Sequence, residues 1–123
     1  MAVQLDHTIV FSRDKKSSAE FISTILGLAP PTPFGHFMSV ELSNGVTLDY
    51  DDRETFPPQH YAFLVTEPEF DEIFVRVTRR GIAYFADPSH REAGRISERH
   101  GRGFYFSDPD GHNMEVLTRP YGA

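Results

Sequence analysis

Apolar and polar residues alternate at the start of the chain, which predicts a strand followed by a helix. The apolar side occupies every second position: Val3, Leu5, His7, Ile9 and Phe11. We therefore expect His7 to point to the apolar face of this strand. Apolar residues then recur at helical spacing over residues 15–26, with Ser12 or Asp14 available as the N-cap and a glycine placed to end the helix.

A hairpin is predicted after this helix. Prolines interrupt residues 30–33, and alternation resumes over residues 36–42. The dipeptide Asn44-Gly45 follows, and it accepts positive φ at both central positions of a tight turn. We expect it to lead into a return strand over residues 46–50, after which a polar, proline-containing connector follows.

The second half of the chain repeats this order of elements. An apolar stripe at positions i, i+3, i+4 and i+7, formed by Phe70, Ile73, Phe74 and Val77, predicts a helix that ends at Gly81. The other predicted elements are, in order, a strand over 60–66, a strand over 82–86, a polar loop over 87–102, a strand over 103–107, a turn over 108–111 and a strand over 112–118.

Length, charge and cysteine content limit the classes of protein that fit. A chain of 123 residues is sized for one domain with one core. It has no cysteine, which excludes disulfides, thiolate metal sites and a cysteine nucleophile, and it suits a reducing compartment, so we expect a cytoplasmic protein. The formal charge of −6 disfavours nucleic acid and anionic membranes as partners, and no apolar run approaches the ~20 residues that span a bilayer.

The two halves carry similar chemistry at matching positions. In each half a histidine precedes the glycine that ends the helix, by 20 residues in the first half and by 21 in the second. Each half also has a strand carboxylate four residues after a turn glycine. If the halves fold alike and pair about a pseudo-twofold axis, these residues meet at one centre: His7, Asp49, His60 and Glu115. Two imidazoles and two carboxylates fit a divalent metal such as Zn²⁺, Ni²⁺, Fe²⁺ or Mn²⁺.

These four residues also have a purely structural interpretation. A strand histidine is often hydrogen-bonded at the edge of the core, and a strand carboxylate often faces solvent. The equivalence of the four positions in the two halves favours the metal site. Both interpretations stay open at this point.

Several motifs resemble those of the vicinal oxygen chelate superfamily, which includes glyoxalase I, fosfomycin-resistance enzymes, extradiol dioxygenases and bleomycin-resistance proteins. They are Leu5-Asp6-His7-Thr8, Ile25-Leu26-Gly27-Leu28, His60-Tyr61-Ala62-Phe63 and the run GFYFSDPDGHNME from Gly103 to Glu115, which is the most specific. The resemblance spans essentially the whole chain and implies an α+β fold. It predicts a single domain, residues 1–123, of two paired βαβββ modules, about residues 3–50 and 60–118, whose strands form a cupped mixed sheet. It also implies a homodimer with shared sites, although a site within one chain would use the same residues.

The resemblance also implies a set of metal ligands. The family's ligands correspond here to His7, His60 and Glu115. Asp49 stands where glyoxalase I has a glutamate, and its shorter side chain would bind the metal directly, bind through water or act as a base. The three-ligand set alone matches fosfomycin-resistance enzymes and the facial triad of iron dioxygenases. With a metal acting as Lewis acid on a substrate that offers two adjacent oxygens, Asp49 or Glu115 is the expected general base.

An arginine-rich loop indicates the charge of the substrate. Residues 91–102 carry a local charge of +2, from Arg91, Arg95, Arg99 and Arg102 against Glu92 and Glu98. Because arginine suits carboxylate and phosphate, we expect Arg95 and Arg99 to bind a small anionic substrate. Tyr61 and Tyr105 are expected to line the pocket. The alternatives are a solvated loop with scattered charges and two core tyrosines.

Three functions follow from these observations. The first is a metal-dependent enzyme, a lyase, isomerase or dioxygenase, that acts on a small substrate chelating the metal through vicinal oxygens. The second is a non-catalytic drug-binding protein of the bleomycin-resistance type, which the acidic charge suits. The third is a fosfomycin-resistance-type transferase, although the potassium-binding loop of some members is replaced here by the arginine-rich segment. The presence of all four candidate ligands favours the first.

Overall fold

The structure, a computed structural model, describes residues 3–122 and divides into two compact units, Met1–Pro57 and Pro58–Ala123. The elements in chain order are β1 (His7–Ser12), α1 (Lys15–Leu26), β2 (Thr32–Phe34), β3 (Phe37–Glu41), β4 (Thr47–Asp52), β5 (His60–Leu64), α2 (Glu67–Arg79), β6 (Gly103–Ser107) and β7 (Asn113–Leu117). This confirms the expected α+β class. Within residues 3–122, no helix is long and apolar enough to cross a membrane.

The first unit is a four-stranded mixed sheet with α1 packed on one face. The strand order is β1-β4-β3-β2, in which β1 and β4 are parallel and the other pairs are antiparallel. The helix has the predicted bounds because its signals are local. The Asp14 carboxylate accepts the Ser17 N–H at the start, and Gly27 takes the left-handed conformation, φ 71°, at the end.

The burial of β1 shows which of its two faces packs under α1. Val10 and Ser12 are fully buried, and the Ser12 hydroxyl contacts the Ser18 hydroxyl of α1 at 2.8 Å. His7 is exposed, and Ile9 is 44% exposed. The face carrying His7 is therefore the one that α1 does not cover. Both faces of β1 carry apolar residues, so alternation alone did not identify the face under the helix.

Two details of the predicted hairpin differ from the sequence prediction. In the Asn44-Gly45 turn only Gly45 has positive φ, 87°. Asn44 does not, since His90 is the one non-glycine residue with positive φ between residues 3 and 122. The proline-rich segment that we expected to be irregular contains β2. Pro33 is tolerated there because β2 is the edge strand and pairs only with β3.

The second unit is a three-stranded sheet with the order β5-β7-β6, together with α2. Strands β5 and β7 are parallel, and β6 and β7 are antiparallel. The helix begins with a capping box, in which Thr66 and Glu69 exchange side-chain and backbone hydrogen bonds. Its apolar stripe supplies the buried residues Phe70, Ile73 and Val77, and Phe70 packs edge-on against Phe104 of β6 with ring centroids 5.4 Å apart.

The βαβββ order is complete in the first unit, whereas in the second unit one strand is reduced to a single residue. Residues 82–86 were expected to form a strand, but only Phe85 pairs, through backbone hydrogen bonds of 2.9 and 2.8 Å with Tyr105. The chain then turns at Asp87, whose carboxylate accepts the N–H groups of Arg91 and Glu92. These local bonds end the pairing beside β6.

Candidate functional site

Two of the predicted ligands meet on one face of the second sheet. Glu115 lies on β7 and is in register with Ala62 of β5 and Tyr105 of β6, so these side chains share a face. His60 lies two positions before Ala62, and its Nε2 is 3.0 Å from Glu115 Oε1. The carboxylate is 3% exposed, whereas the histidine ring is about half-exposed. An imidazole nitrogen and a buried carboxylate oxygen thus face each other at the edge of the core.

The turn between β6 and β7 fixes the strand that carries His60. Asp108 Oδ1 accepts the N–H of His112, which is fully buried. His112 Nδ1 accepts the Gln59 N–H at 2.9 Å, and the Asn113 N–H donates to the Gln59 carbonyl. An accepting Nδ1 means that the neutral ring carries its proton on Nε2. The turn motif therefore anchors the residue before His60 and sets the β5–β7 register.

Two tyrosines complete the surroundings of Glu115. The Tyr121 hydroxyl lies 2.9 Å from Oε2 and 3.0 Å from Oε1 of Glu115, and the Tyr105 hydroxyl is 3.3 Å from that of Tyr121. Burial raises the pKa of Tyr105, and its hydrogen bond with Tyr121 and the negative charge of Glu115 raise it further. Tyr105 therefore stays protonated at neutral pH. Sequence reasoning did not identify Tyr121, because it lies beyond the last strand, outside any periodic segment.

A cavity of about 620 Å³ opens beside this cluster within the second unit. Among its lining residues are Glu115, Tyr105 and Tyr121, together with Arg95, Arg99 and His100 of the loop before β6. The structure thus brings Arg95, Arg99, Tyr105 and Glu115 to one space. Tyr61 is not part of the described lining: it packs edge-on against His112 with centroids 5.7 Å apart, and burial, with a contribution from the charge of Asp108, raises its pKa.

The cavity wall is acidic despite its arginines. The lining has four carboxylates, Asp87, Glu92, Glu98 and Glu115, and two arginines, Arg95 and Arg99, so its formal charge is −2. A divalent cation at Glu115 would bring that sum to zero. Arg95 and Arg99 are therefore two local positive charges on an acidic wall rather than part of a broad positive surface.

Arg102, the last arginine of this loop, binds helix α2 of the second unit. Its Nε and Nη1 donate to Glu67 and Asp71 of α2, each at 2.8 Å. Its guanidinium also lies 4.3 Å from the ring centre of Phe70. Arg102 thus ties the end of the loop to the helix and does not face the cavity.

The other two predicted ligands lie in the first unit. His7 begins β1, and its Nδ1 is 2.7 Å from Asp6 Oδ2. This hydrogen bond raises the pKa of His7, and the charge of Asp49 contributes in the same direction. Asp49 lies on β4 in register with Ile9, is buried, and accepts the Ser39 hydroxyl at 2.9 Å. Across residues 3–122, no three His, Asp or Glu side chains lie close enough together to hold a metal ion.

Comparison with known proteins identifies the family of the chain. No family model matches the sequence. The curated glutathione transferase FosA of Serratia marcescens is 30% identical over 94% of this chain and 81% of its own length. The chain belongs to the vicinal oxygen chelate superfamily. Two solved oxidase structures with this fold are similar to the chain. ChaP-H1 is 55% identical with a TM-score of 0.96, and the match covers 99% of this chain and 100% of ChaP-H1. ChaP-H2 is 56% identical with a TM-score of 0.95, and the match covers 100% of this chain and 98% of ChaP-H2.

Proposed function

We propose that the protein is a metal-dependent oxidase or dioxygenase that acts on a small molecule chelating the metal through two adjacent oxygens. The observation that carries the proposal is the pair of His60 Nε2 and Glu115 Oε1, which lie 3.0 Å apart, with Glu115 lining the cavity. The oxidative character is supported by the whole-length likeness to ChaP-H1 and ChaP-H2, which are oxidases by name.

The donor set suits a borderline divalent metal. Imidazole nitrogen and carboxylate oxygen are ligands of Zn²⁺, Ni²⁺, Fe²⁺ and Mn²⁺, and the −2 wall charge favours a cation. We propose that His60 and Glu115 hold the metal together with His7, and that Asp49 serves as a fourth ligand or as a base. The bond of His7 Nδ1 to Asp6 supports this assignment, because metal-binding histidines usually have their second nitrogen held by a carboxylate.

The chain's own residues would then bind and orient the substrate. The bound metal supplies Lewis acidity, which stabilises negative charge on the substrate oxygens. Arg95 and Arg99 bind an anionic group of the substrate through charge-assisted hydrogen bonds. Tyr105 lines the cavity with its hydroxyl protonated and hydrogen-bonded to the Tyr121 hydroxyl. Asp49 Oδ2 is the candidate proton acceptor, since Oδ1 already accepts the Ser39 hydroxyl.

A homodimer with shared sites is part of this proposal. It is supported by the face of β1 that α1 leaves uncovered, where Leu5 and Ile9 are exposed on either side of His7. Exposed apolar residues beside a metal ligand are typical of a surface that a partner covers. A second copy of the chain would place His7 of one subunit at the His60 and Glu115 of the other.

The fosfomycin transferase alternative has one observation in its favour, the 30% identity with FosA. The oxidases are 55–56% identical over nearly the whole of each chain, so they are the stronger guide. The other alternative is a non-catalytic drug-binding protein of the bleomycin-resistance type. Assays with fosfomycin and with bleomycin would test these alternatives directly.

The first experiment measures metal bound to protein purified without chelator or an affinity-tag metal. We expect about one equivalent per chain in the wild type and little in His60→Ala, because the variant removes a ligand. His36→Ala is the matched control, since His36 is an exposed histidine whose partner is Asp51 rather than Glu115. Oxygen uptake with catechols and related vicinal-oxygen compounds then tests the oxidative activity.

Each arm of the experiment has a contrary outcome. Equal metal content in the wild type and in His60→Ala would remove His60 from the ligand set. No metal in the wild type after reconstitution would contradict the enzyme proposal and favour drug binding. Metal binding with thiol transfer to fosfomycin, and with no oxygen uptake, would favour the transferase.

A further inference from the structure

Tyr121 is joined to the candidate metal ligand Glu115 in a way that the proposed function does not use. Tyr121 is 60% exposed, whereas Glu115 is only 3% exposed, and the Tyr121 hydroxyl lies within 3.0 Å of both carboxylate oxygens of Glu115. Glu115 Oε1 also lies 3.0 Å from Nε2 of His60, and Tyr105 makes a further side-chain hydrogen bond with this carboxylate. A surface residue thus supplies a hydrogen bond to a buried charge.

The position of Tyr121 is set by the loop that lines the cavity. Its ring stacks on that of His100 with centroids 4.1 Å apart. The backbone is tied to the same loop, because the Arg119 N–H donates to the His100 carbonyl and the Thr118 N–H donates to the Arg102 carbonyl. The segment after β7 and the loop before β6 therefore jointly hold the Tyr121 hydroxyl next to the Glu115 carboxylate.

We propose that Tyr121 is a positioning residue that orients the Glu115 carboxylate for metal binding and links its orientation to the cavity loop. This inference rests on the proposed metal-dependent function. A buried carboxylate with a single nitrogen partner can rotate about its last side-chain torsion, and a donor to both oxygens restricts that rotation. Hydrogen bonds of this kind, made to a ligand rather than to the metal, typically change metal affinity by about 10–100-fold.

The test compares Mn²⁺ binding by the wild type and Tyr121→Phe, with the metal alone as the probe. Phenylalanine keeps the ring on His100 and removes only the hydroxyl. We expect Mn²⁺ affinity to fall about 10–100-fold with little change in melting temperature. The electron paramagnetic resonance spectrum of bound Mn²⁺ should change as well, since it reports the coordination sphere, which a purely structural role would leave unaltered.

Tyr84→Phe is the matched control. It removes the same atom from a tyrosine that packs against Phe74 and Phe104 and is not among the described residues that line the cavity. We expect its Mn²⁺ affinity to equal that of the wild type. Equal affinities in Tyr121→Phe and the wild type would overturn this inference alone. Failure of the wild type to bind Mn²⁺ or any other divalent metal would overturn the proposed function, and this inference with it.

Discussion

The arginines of the loop before β6 differ in what they contact, although the sequence gives them similar settings. Arg102 is held by two carboxylates of α2 and contributes to the packing of that helix. Arg95 and Arg99 line the cavity beside Glu115. Their charges stand against four carboxylates on the same wall, so an anionic substrate would depend on these two side chains and on the metal rather than on the overall field.

Charge reversal at Arg95 or Arg99 should therefore weaken substrate capture without removing the metal. A lost charge-assisted hydrogen bond is worth about 1.5–3 kcal/mol, so we expect KM to rise about 10–100-fold in Arg95→Glu and in Arg99→Glu. Metal content, measured beside the kinetics, should not change. Arg91→Glu makes the same change in the same loop, outside the cavity lining, and should leave KM near the wild-type value. An equal rise in all three variants would indicate a general field effect instead.

The sequence identified some site residues and missed others for physical reasons. His60 and Glu115 were predicted to lie together because each stands at a repeated spacing, His60 from the glycine that ends the helix and Glu115 from a turn glycine, and the structure places them 3.0 Å apart. Tyr121 was missed because its role depends on a stack with His100, a contact that no local pattern encodes. The sequence did not show that His112 is buried for a similar reason. Its Nδ1 accepts the N–H of Gln59, a residue far away in sequence.

Among the elements, α2 shows how local signals stabilise the second unit. The Thr66 hydroxyl accepts the Glu69 N–H, and the Glu69 carboxylate accepts from the Thr66 N–H and hydroxyl. The bond from the Thr66 N–H, together with that from the hydroxyl, lowers the pKa of Glu69. The folded state therefore gains stability from the ionised form of this residue.

Thr66→Ala should lower the free energy of unfolding by about 1 kcal/mol at neutral pH, the usual value of an N-cap. The lowered pKa means that the contribution of Glu69 is complete above its ordinary pKa of 4.5 and is lost as pH falls through its folded pKa. The cost of the substitution should therefore be smaller at pH 3 than at pH 7, measured by urea unfolding. Thr78→Ala, in the last turn of the same helix, should cost little. Equal costs for the two variants at pH 7 would contradict the capping argument.

The helices were predicted more accurately than the strands. The bounds of α1 agree with the sequence prediction because Asp14 and Gly27 act within one turn of the helix. Strand pairing depends on partners far away in sequence, so the pattern did not reveal the edge strand β2 or the reduction of residues 82–86 to one bridge at Phe85. The same limitation explains why alternation alone did not show which face of β1 packs under α1.

At the scale of the molecule, each unit holds half of the proposed ligand set. His7 and Asp49 lie in the first unit, and His60 and Glu115 lie in the second. The same four residues fit a site built within one chain and a site shared by two chains. The two arrangements predict different metal contents for a dimer in which each copy lacks a different ligand, and metal content can be measured.

We predict that His7→Ala and His60→Ala, co-expressed and purified as a mixed dimer, bind metal although neither variant does so alone. In a shared site, the intact His7 of one copy meets the intact His60 and Glu115 of the other, so one of the two sites is complete. The metal content should be about half that of the wild type. A mixed dimer of His60→Ala with Glu115→Ala is the control, because both defects lie in the second unit and neither arrangement leaves a complete site. If each site is built within one chain, every copy carries a defect, and the first mixture will bind no more metal than this control.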